Sequence, residues 1–352
     1  MKMNLSKSFS EFRKKPAFTG FILFMVALVL NAAIQGPAKF FSANIMKTLF
    51  STNMSFLLVV MAQSILLISG TMDISVGVQV ALVNVVTIMT MKTWGIHFLL
   101  ACGLGICAAL LASMVCWLLV SVLRLPALLA SFALTYAIKG VNVLIMNVPQ
   151  GKVQKVFYSA YDSLLFGIIP AAALFLVLAL LIWAYVSRTR FGTNIYAVGA
   201  NPRNAFAAGI NPVKVQFQAF MVKGLFVGLA GICLTLLTAS GNPNQAEDYG
   251  IRSLSACIIG GLSFGGWGSL ACGAFGGGFL ILIQNSVYYF FNLLYSLIPG
   301  FSVTSYWHNF ISDIIIFLGL LMTIITAKGQ REALQINLQN SVRFRRRAEN
   351  AK

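Results

Sequence analysis

The stretch that most constrains this chain is 164–186, LLFGIIPAAALFLVLALLIWAYV, which contains no charged residue. It exceeds the length of about 20 residues that a helix needs to cross a membrane. Across all 352 residues, 59% are hydrophobic and only 9% are charged, a balance too apolar for a soluble domain. The sequence therefore predicts an all-α integral membrane protein.

Similar apolar runs recur along the chain and predict about ten membrane-spanning helices. The first run has no small-residue cleavage site after it, so it is interpreted as a retained helix and not as a signal peptide. Segment 1–16 precedes the transmembrane region 17–326, and the basic tail 327–352 follows it. The predicted spans are 17–34, 52–70, 76–91, 97–120, 127–146, 164–186, 215–239, 252–264, 268–292 and 307–326.

The distribution of Lys and Arg predicts the orientation of these spans. The net charge is +17, and with the N-terminus in the cytoplasm nearly all basic residues outside the spans fall on the cytoplasmic side. This bias follows the positive-inside rule and places both termini in the cytoplasm; the bacterial inner membrane is the location implied by the resemblance described below. The basic tail has a single aromatic residue, Phe344, and not the interleaved stacking aromatics typical of nucleic-acid binding, so the expected partner of the tail is membrane lipid. The five basic residues left outside are Lys39, Lys47, Lys92, Lys152 and Lys155.

No catalytic motif is found in the sequence. It lacks the phosphate loop G-x-x-x-x-G-K-[ST] and the H-E-x-x-H pair, and its one match to G-x-S-x-G, GLSFG at 261–265, lies in a glycine-rich link between apolar runs and not in the strand-to-helix turn that a nucleophile elbow requires. No catalytic residue and no cofactor are predicted in this chain, and if ATP powers transport here, another chain must bind the ATP and its magnesium ion. The six cysteines lie in apolar segments without a C-x-x-C pair, and His97 and His308 stand alone, so neither disulfides nor a metal site are predicted.

Two glycine-rich links join neighbouring apolar runs, SGTMDISVG at 69–77 and IGGLSFGGWGS at 259–269. One interpretation is close packing of helices through small residues. The other is an interruption of the helix, which a membrane tolerates only against protein or a water-filled path. The sequence leaves both open.

Charged residues within the predicted spans require a reason, because burying charge in a membrane is costly. Asp73 is the most informative, since Ser75, Gly77 and Gln79 follow it. These four residues are candidates for a translocation path, and a helix cap at Asp73 is the alternative. Lys223 could extend back to the cytoplasmic interface. Arg252 and Asp313 are equally compatible with ion pairing and with contact to a solute. The full set is Asp73, Lys139, Lys223, Arg252 and Asp313.

The long loop 187–214 is predicted to carry a short helix within VGANPRNAFAAGINPVK, residues 198–214. Asn201 can cap it, Pro202 suits its first position and Gly209 can end it. Asn211 and Pro212 repeat the cap-and-start signal for the next span. The alternative is a well-capped loop with no further role.

Four motifs in this order resemble the permease subunits of bacterial ATP-binding-cassette importers for monosaccharides, of the ribose and galactose type. SGTMDISVG resembles the family's SGIDLSVG, and RTRFGTNIYAVGANPRNAFAAGINPVK resembles its cytoplasmic loop. IIGGLSFGGWGS resembles IGGTSLSGGRG, and SYWHNFISDIIIFL resembles SYWQQIIKGLIIL. The chain departs from the family pattern at Gly250, Arg252 and Trp267.

The resemblance implies a type II-like permease of about ten spans that pairs with itself or with a similar permease chain. A separate cassette ATPase would sit on the cytoplasmic face, and a separate sugar-binding protein would deliver solute from outside. The loop helix would dock on the ATPase as a coupling helix. An ion-coupled carrier is the alternative, although the chain offers few acids for a titrating network. The residues implied in coupling are Asn201, Arg203, Ala205, Phe206, Ala208, Gly209 and Ile210.

Overall fold

The computed structural model describes residues 16–263, 265–297, 307, 310–311 and 313–318. The first half of the chain forms long helices separated by short links. These are α1 (Ala17–Gln35), the single turn α2 (Pro37–Phe40), α3 (Ala43–Ile68), α4 (Val76–Trp94), α5 (Phe98–Trp117), which continues as a π-helical turn through Leu118–Val122, and α6 (Ala127–Ile145).

The second half mixes long helices with short ones. They are α7 (Lys155–Tyr161), a hairpin of β1 (Leu164–Leu165) and β2 (Ile169–Pro170), α8 (Ala173–Ser187), α9 (Arg190–Ala200), α10 (Pro202–Ala207), α11 (Pro212–Thr238), α12 (Tyr249–Ile259) and α13 (Leu270–Leu297).

Seven helices among the described residues are long and apolar enough to cross a membrane. They are α1, α3, α4, α5 with its π-helical turn, α6, α11 and α13. The pair α8 and α9, bent by 81°, makes an eighth if both belong to one span. The predicted span 307–326 lies largely outside the described residues.

Two predicted spans differ from the observed helices. The run 164–186 begins as a hairpin, because Gly167 has a φ of +73° and Pro170 has no backbone N–H for a helical hydrogen bond. Helix α8 therefore starts only at Ala173. The predicted span 252–264 is wrong, since α12 has 11 residues and is too short to cross a membrane alone.

The short α12 follows irregular backbone that enters the helical bundle. Residues 239–248, ASGNPNQAED, are polar and form turns. Gly77 at the start of α4 packs so closely on Ala246 that a Cβ there would overlap its carbonyl oxygen, and Gly250 meets the carbonyl oxygen of Ile74 in the same way. Residues 239–248 therefore run along the side of α4 without regular helical structure, and α12 begins after them.

Helices α3, α4 and α11 form the centre of the described bundle, and most of their residues are buried. Helices α1, α5, α6 and α8 lie outside them and expose many large apolar side chains, such as Leu111 and Leu144. This is the arrangement of a membrane domain, whose outer face meets lipid and not water.

The two ends of the bundle carry different elements. At one end, α9 packs against both glycine-rich links, because Gly199 contacts the carbonyl oxygen of Ile68 and the backbone of Gly266. At the other end, Lys92 donates to Gln150, and Lys47 pairs with Asp162 at 3.0 Å. The loop predicted to be cytoplasmic and the basic residues predicted to be outside thus lie at opposite ends.

Candidate functional site

The first glycine-rich link interrupts the path of the chain between α3 and α4. Helix α3 ends at Ile68, Gly70 adopts a φ of +80°, and α4 begins at Val76. Within the link, Oδ1 of Asp73 accepts a hydrogen bond from the backbone N–H of Ser75 at 2.8 Å. The segment is an interruption between two helices, and its own side chains stabilise it. The same residues also pack closely against neighbouring backbone.

A buried ion pair ties this break to α11. The Nζ atom of Lys223 lies 2.6 Å from Oδ2 of Asp73, and both side chains are fully buried. The ammonium group also donates to Oε1 of Gln79 at 2.6 Å and to Oγ of Ser113 at 3.1 Å. All three donors of the lysine are therefore satisfied by protein.

The prediction that Lys223 extends to the cytoplasmic interface is wrong. With a rise of about 1.5 Å per residue, Lys223 lies about 16 Å from the start of α11 and about 22 Å from its end. Its side chain turns inward at that depth because three acceptors converge on it. The pair with Asp73 keeps this region of the bundle electrically neutral.

Further amides complete the network around Asp73. Nε2 of Gln79 donates to Oδ2 of Asp73 at 3.0 Å and to Oγ of Ser75 at 2.7 Å. Gln63 of α3 lies against the backbone of Asp73, and with its amide assigned in the orientation that satisfies both groups, its nitrogen donates to the carbonyl oxygen at 3.1 Å and its oxygen accepts from the N–H at 3.3 Å. The network joins α3, α4, α5 and α11.

Sequence reasoning missed two members of this network, Gln63 and Ser113. Each is a polar residue within a run of apolar ones, which is a weak signal by itself. Of the four residues predicted to line a path, Asp73, Ser75 and Gln79 are joined by hydrogen bonds, Gly77 packs on Ala246, and all four are buried against protein. Their contact with a solute stays a prediction.

A polar cavity of about 500 Å³ lies beside α12. One wall is an ion pair, with Nη1 of Arg252 2.7 Å from Oδ2 of Asp248, and the guanidinium group also lies 5.0 Å from the ring centre of Phe56. Arg252 thus pairs with Asp248, one turn earlier in the chain. The rest of the lining mixes polar and apolar side chains, Ile251, Ser255, Gln284, Asp313, Ile316 and Phe317.

Lys139, another charge predicted within a span, pairs with Glu247 at 2.8 Å, and both side chains are partly exposed. In the described part of the chain, no three His, Cys, Asp or Glu side chains come together as a metal site requires.

The short helix predicted in the long loop is confirmed as α10. Oδ1 of Asn201 accepts hydrogen bonds from the N–H groups of Arg203 at 3.0 Å and Asn204 at 3.1 Å, and Pro202 is the first helical residue. Gly209 ends the segment with a φ of +82°. Asn211 in turn caps α11 through the N–H of Lys214.

The exposed face of α10 differs from the predicted one at Ala205. Arg203 and Ala208 are exposed, Ile210 is half-buried, and the Phe206 side chain is 70% exposed. Ala205 is buried, because the helical period turns it toward the protein. A substitution there would therefore disturb packing before it disturbed docking.

Helix α9 connects α10 to the helix break. Its buried residues Phe191, Ile195 and Val198 follow the spacing of one helical face. At the end of that face, Gly199 packs on the last turn of α3 just before Ser69. A displacement of α10 would therefore reach the segment that carries Asp73 through two packed helices.

A family model described as the branched-chain amino acid transport system / permease component matches residues 44–320. The chain belongs to this permease family. It is a multi-pass membrane subunit of an ATP-binding-cassette importer, and family membership favours this function over an ion-coupled carrier.

Relatives in this permease family align over most of their length. The chain is 28% identical to the fructose import permease of Rhizobium meliloti over 273 residues, which cover 74% of this chain and 75% of the relative. It is 23% identical to the galactose/methyl galactoside import permease of Haemophilus influenzae, with coverages of 85% and 92%. It is 26% identical to the ribose import permease of Bacillus subtilis, with coverages of 86% and 89%. No solved structure matches the chain significantly.

Proposed function

We propose that this permease imports a monosaccharide or a related small polar solute. The relatives named for fructose, galactose and ribose support this proposal, since each aligns over at least three quarters of its own length. A separate cassette ATPase binds ATP and magnesium, and an extracytoplasmic binding protein delivers the solute. The permease supplies the path and needs no tight site of its own, because tight binding would slow release.

The observation that carries the proposal is the placement of α10. This capped helix projects Phe206 and Arg203 from the end of the bundle while α9 packs beneath it. An exposed aromatic side chain beside a basic one is the pattern of an anchor at a protein interface. We assign α10 to the cytoplasmic face, where it docks on the ATPase, and both termini to the same side.

A second permease chain completes the transporter. In a pair, each chain would provide one wall of the path. Whether the partner is a second copy or a similar chain does not alter the role of α10.

Transport assays test the energy source. The permease, its ATPase and its binding protein are reconstituted in proteoliposomes, and uptake of radiolabelled D-ribose, D-galactose and D-fructose is measured. We expect uptake of at least one sugar that requires internal ATP and persists with a protonophore. Uptake abolished by the protonophore at constant ATP would point to an ion-coupled carrier.

A pair of variants tests the docking face. Phe206→Glu places a charge on the proposed anchor and should lower recovery of the ATPase with the permease at least tenfold, with parallel loss of uptake. Phe166→Glu is the matched control, since Phe166 is 95% exposed in the hairpin at the opposite end. Equal recovery of the ATPase with both variants would contradict the docking role.

A further inference from the structure

The polar cavity beside α12 lies on a surface that carries charged groups. Covering that surface with lipid would cost much free energy. Asp248, Arg252 and Asp313 line it together with Ser255 and Gln284. Two carboxylates and a guanidinium group on a hydrocarbon-facing surface are strongly disfavoured. Water or another polar group must therefore occupy the cavity in the membrane.

The cavity also holds an unsatisfied donor. The Nε atom of Arg252 is buried and has no hydrogen-bond partner among the described residues, although its Nη1 pairs with Asp248. A buried donor without a partner is costly, so the hydrogen bonds of this part of the lining are incomplete in the described chain.

The backbone around the cavity is of the kind found along transport paths. Helix α12 is a half-length helix whose first residue, Tyr249, follows turns packed against the start of α4. Irregular backbone at membrane depth is tolerated where it is covered by protein or faces water, and interrupted helices often form solute sites in transporters.

The groups in the cavity select a class of solute. Two carboxylates, an amide and a hydroxyl accept or donate hydrogen bonds to many hydroxyl groups, while Phe317 offers an apolar surface for the C–H face of a sugar ring. With two acids against one base, the cavity carries an excess of negative charge. It disfavours a solute with a carboxylate, such as an amino acid.

We infer that the cavity lined by Asp248, Arg252, Ser255, Gln284 and Asp313 contacts the solute during transport and takes a neutral polyhydroxyl compound. This inference rests on the proposed function, because it assumes that a sugar passes through the permease. Under this inference, the residues that contact the solute lie on the face of α12 and not in the buried network around Asp73.

Thiol labelling tests access to water without requiring transport. Ser255→Cys is made in a Cys107→Ser background, because Cys107 is exposed and the other five cysteines are buried. We expect a membrane-impermeant methanethiosulfonate to modify it at least tenfold faster than Leu111→Cys, a control on the outer face of α5, where Leu111 is 65% exposed. Equal or slower modification would overturn the inference.

Transport by the complete importer tests solute contact. Gln284→Leu and Asp313→Asn should each lower uptake of the sugar that the unmodified importer carries by about fivefold, because the first removes a hydrogen-bonding amide and the second replaces a charged acceptor oxygen by a neutral donor. Gln154→Leu and Asp162→Asn, matched changes at exposed sites away from the cavity, should transport normally. Unmodified uptake by both cavity variants would overturn the inference.

Failure of the proposed function is distinguishable from failure of this inference. If the unmodified importer carries none of D-ribose, D-galactose and D-fructose, import of the sugars named for its relatives is contradicted, and the labelling still decides whether water fills the cavity.

Discussion

At the scale of single residues, the ion pair between Lys223 and Asp73 determines which substitutions the helix break can tolerate. Removing both charges from water carries a large desolvation cost, which is offset only when the geometry is good and the remaining hydrogen bonds are filled. Here Gln79 and Ser113 accept the other two ammonium hydrogens, and Ser75 donates to the carboxylate. Removing one partner of this pair therefore costs far more folding free energy than replacing both partners together.

Lys223→Met should destabilise the permease by about 3 to 5 kcal/mol, because it leaves the carboxylate of Asp73 buried without a partner. Asp73→Asn should destabilise it comparably, since the amide keeps the contact to Ser75 but leaves the ammonium group unpaired. The double variant should recover most of the loss. Thermal unfolding in detergent, followed by a dye that reports exposure of the buried cysteines, measures these effects.

Lys47→Met provides the control for that series. Its partner Asp162 is 56% exposed, so solvent screens the pair and the change should cost no more than about 1 kcal/mol. A double variant of the buried pair that is no more stable than either single variant would contradict the role given to pairing.

The sequence predicts local residue roles better than distant ones. Asn201, Pro202 and Gly209 act within one short helix, so their capping and turn preferences are visible in the letters alone. Lys223 and Asp73 are 150 residues apart, and no periodicity or spacing relates them. The cost of intramembrane charge marked both residues, but only the packing of α4 against α11 shows that they meet.

At the scale of elements, the contact between α9 and the end of α3 is the mechanical link in the proposed coupling. A Cβ on Gly199 would overlap the carbonyl oxygen of Ile68 and lie close to Gly266. Gly199→Val should therefore force α9 away from α3. We expect reduced uptake with ATP hydrolysis by the complex retained, measured in the same proteoliposomes.

Gly103→Val is the matched control for this prediction. Gly103 lies in α5, and nothing lies within 4 Å of a Cβ built there. Its uptake should stay near that of the unmodified permease. If Gly199→Val transports as well as Gly103→Val, α9 does not transmit motion to the helix break.

Helix α12 shows the limit of a search for apolar runs. Residues 252–264 are apolar enough to resemble a span, yet the chain reaches that depth through irregular backbone at 239–248. Turn residues such as Pro243 mark that segment as non-helical, but they do not show that it lies inside the bundle. Its contacts with Gly77 and Ile74 depend on tertiary packing.

At the scale of the whole molecule, hydropathy and the order of four motifs sufficed for the fold class and the family. Both signals are spread over hundreds of residues, so errors in single spans do not remove them. The position of the polar cavity could not be predicted in the same way, because its residues come from three separate segments of the chain.

In a complete importer, ATP should be hydrolysed by a separate chain, as the absence of a phosphate loop from the permease predicts. The purified permease alone should hydrolyse no ATP above background, and addition of its ATPase should produce hydrolysis that the loaded binding protein stimulates. A colorimetric phosphate assay measures both rates. ATP turnover by the isolated permease would contradict the assignment of ATP to a separate chain.

The ion pair at the helix break has a consequence for synthesis of the chain on the ribosome. Asp73 is made 150 residues before Lys223, so at about 5 to 20 residues per second it waits about 8 to 30 seconds for its partner. Its other contacts, from Gln63, Ser75 and Gln79, all belong to the hairpin of α3 and α4. That hairpin can hold the carboxylate in the membrane while the rest of the protein is still being translated.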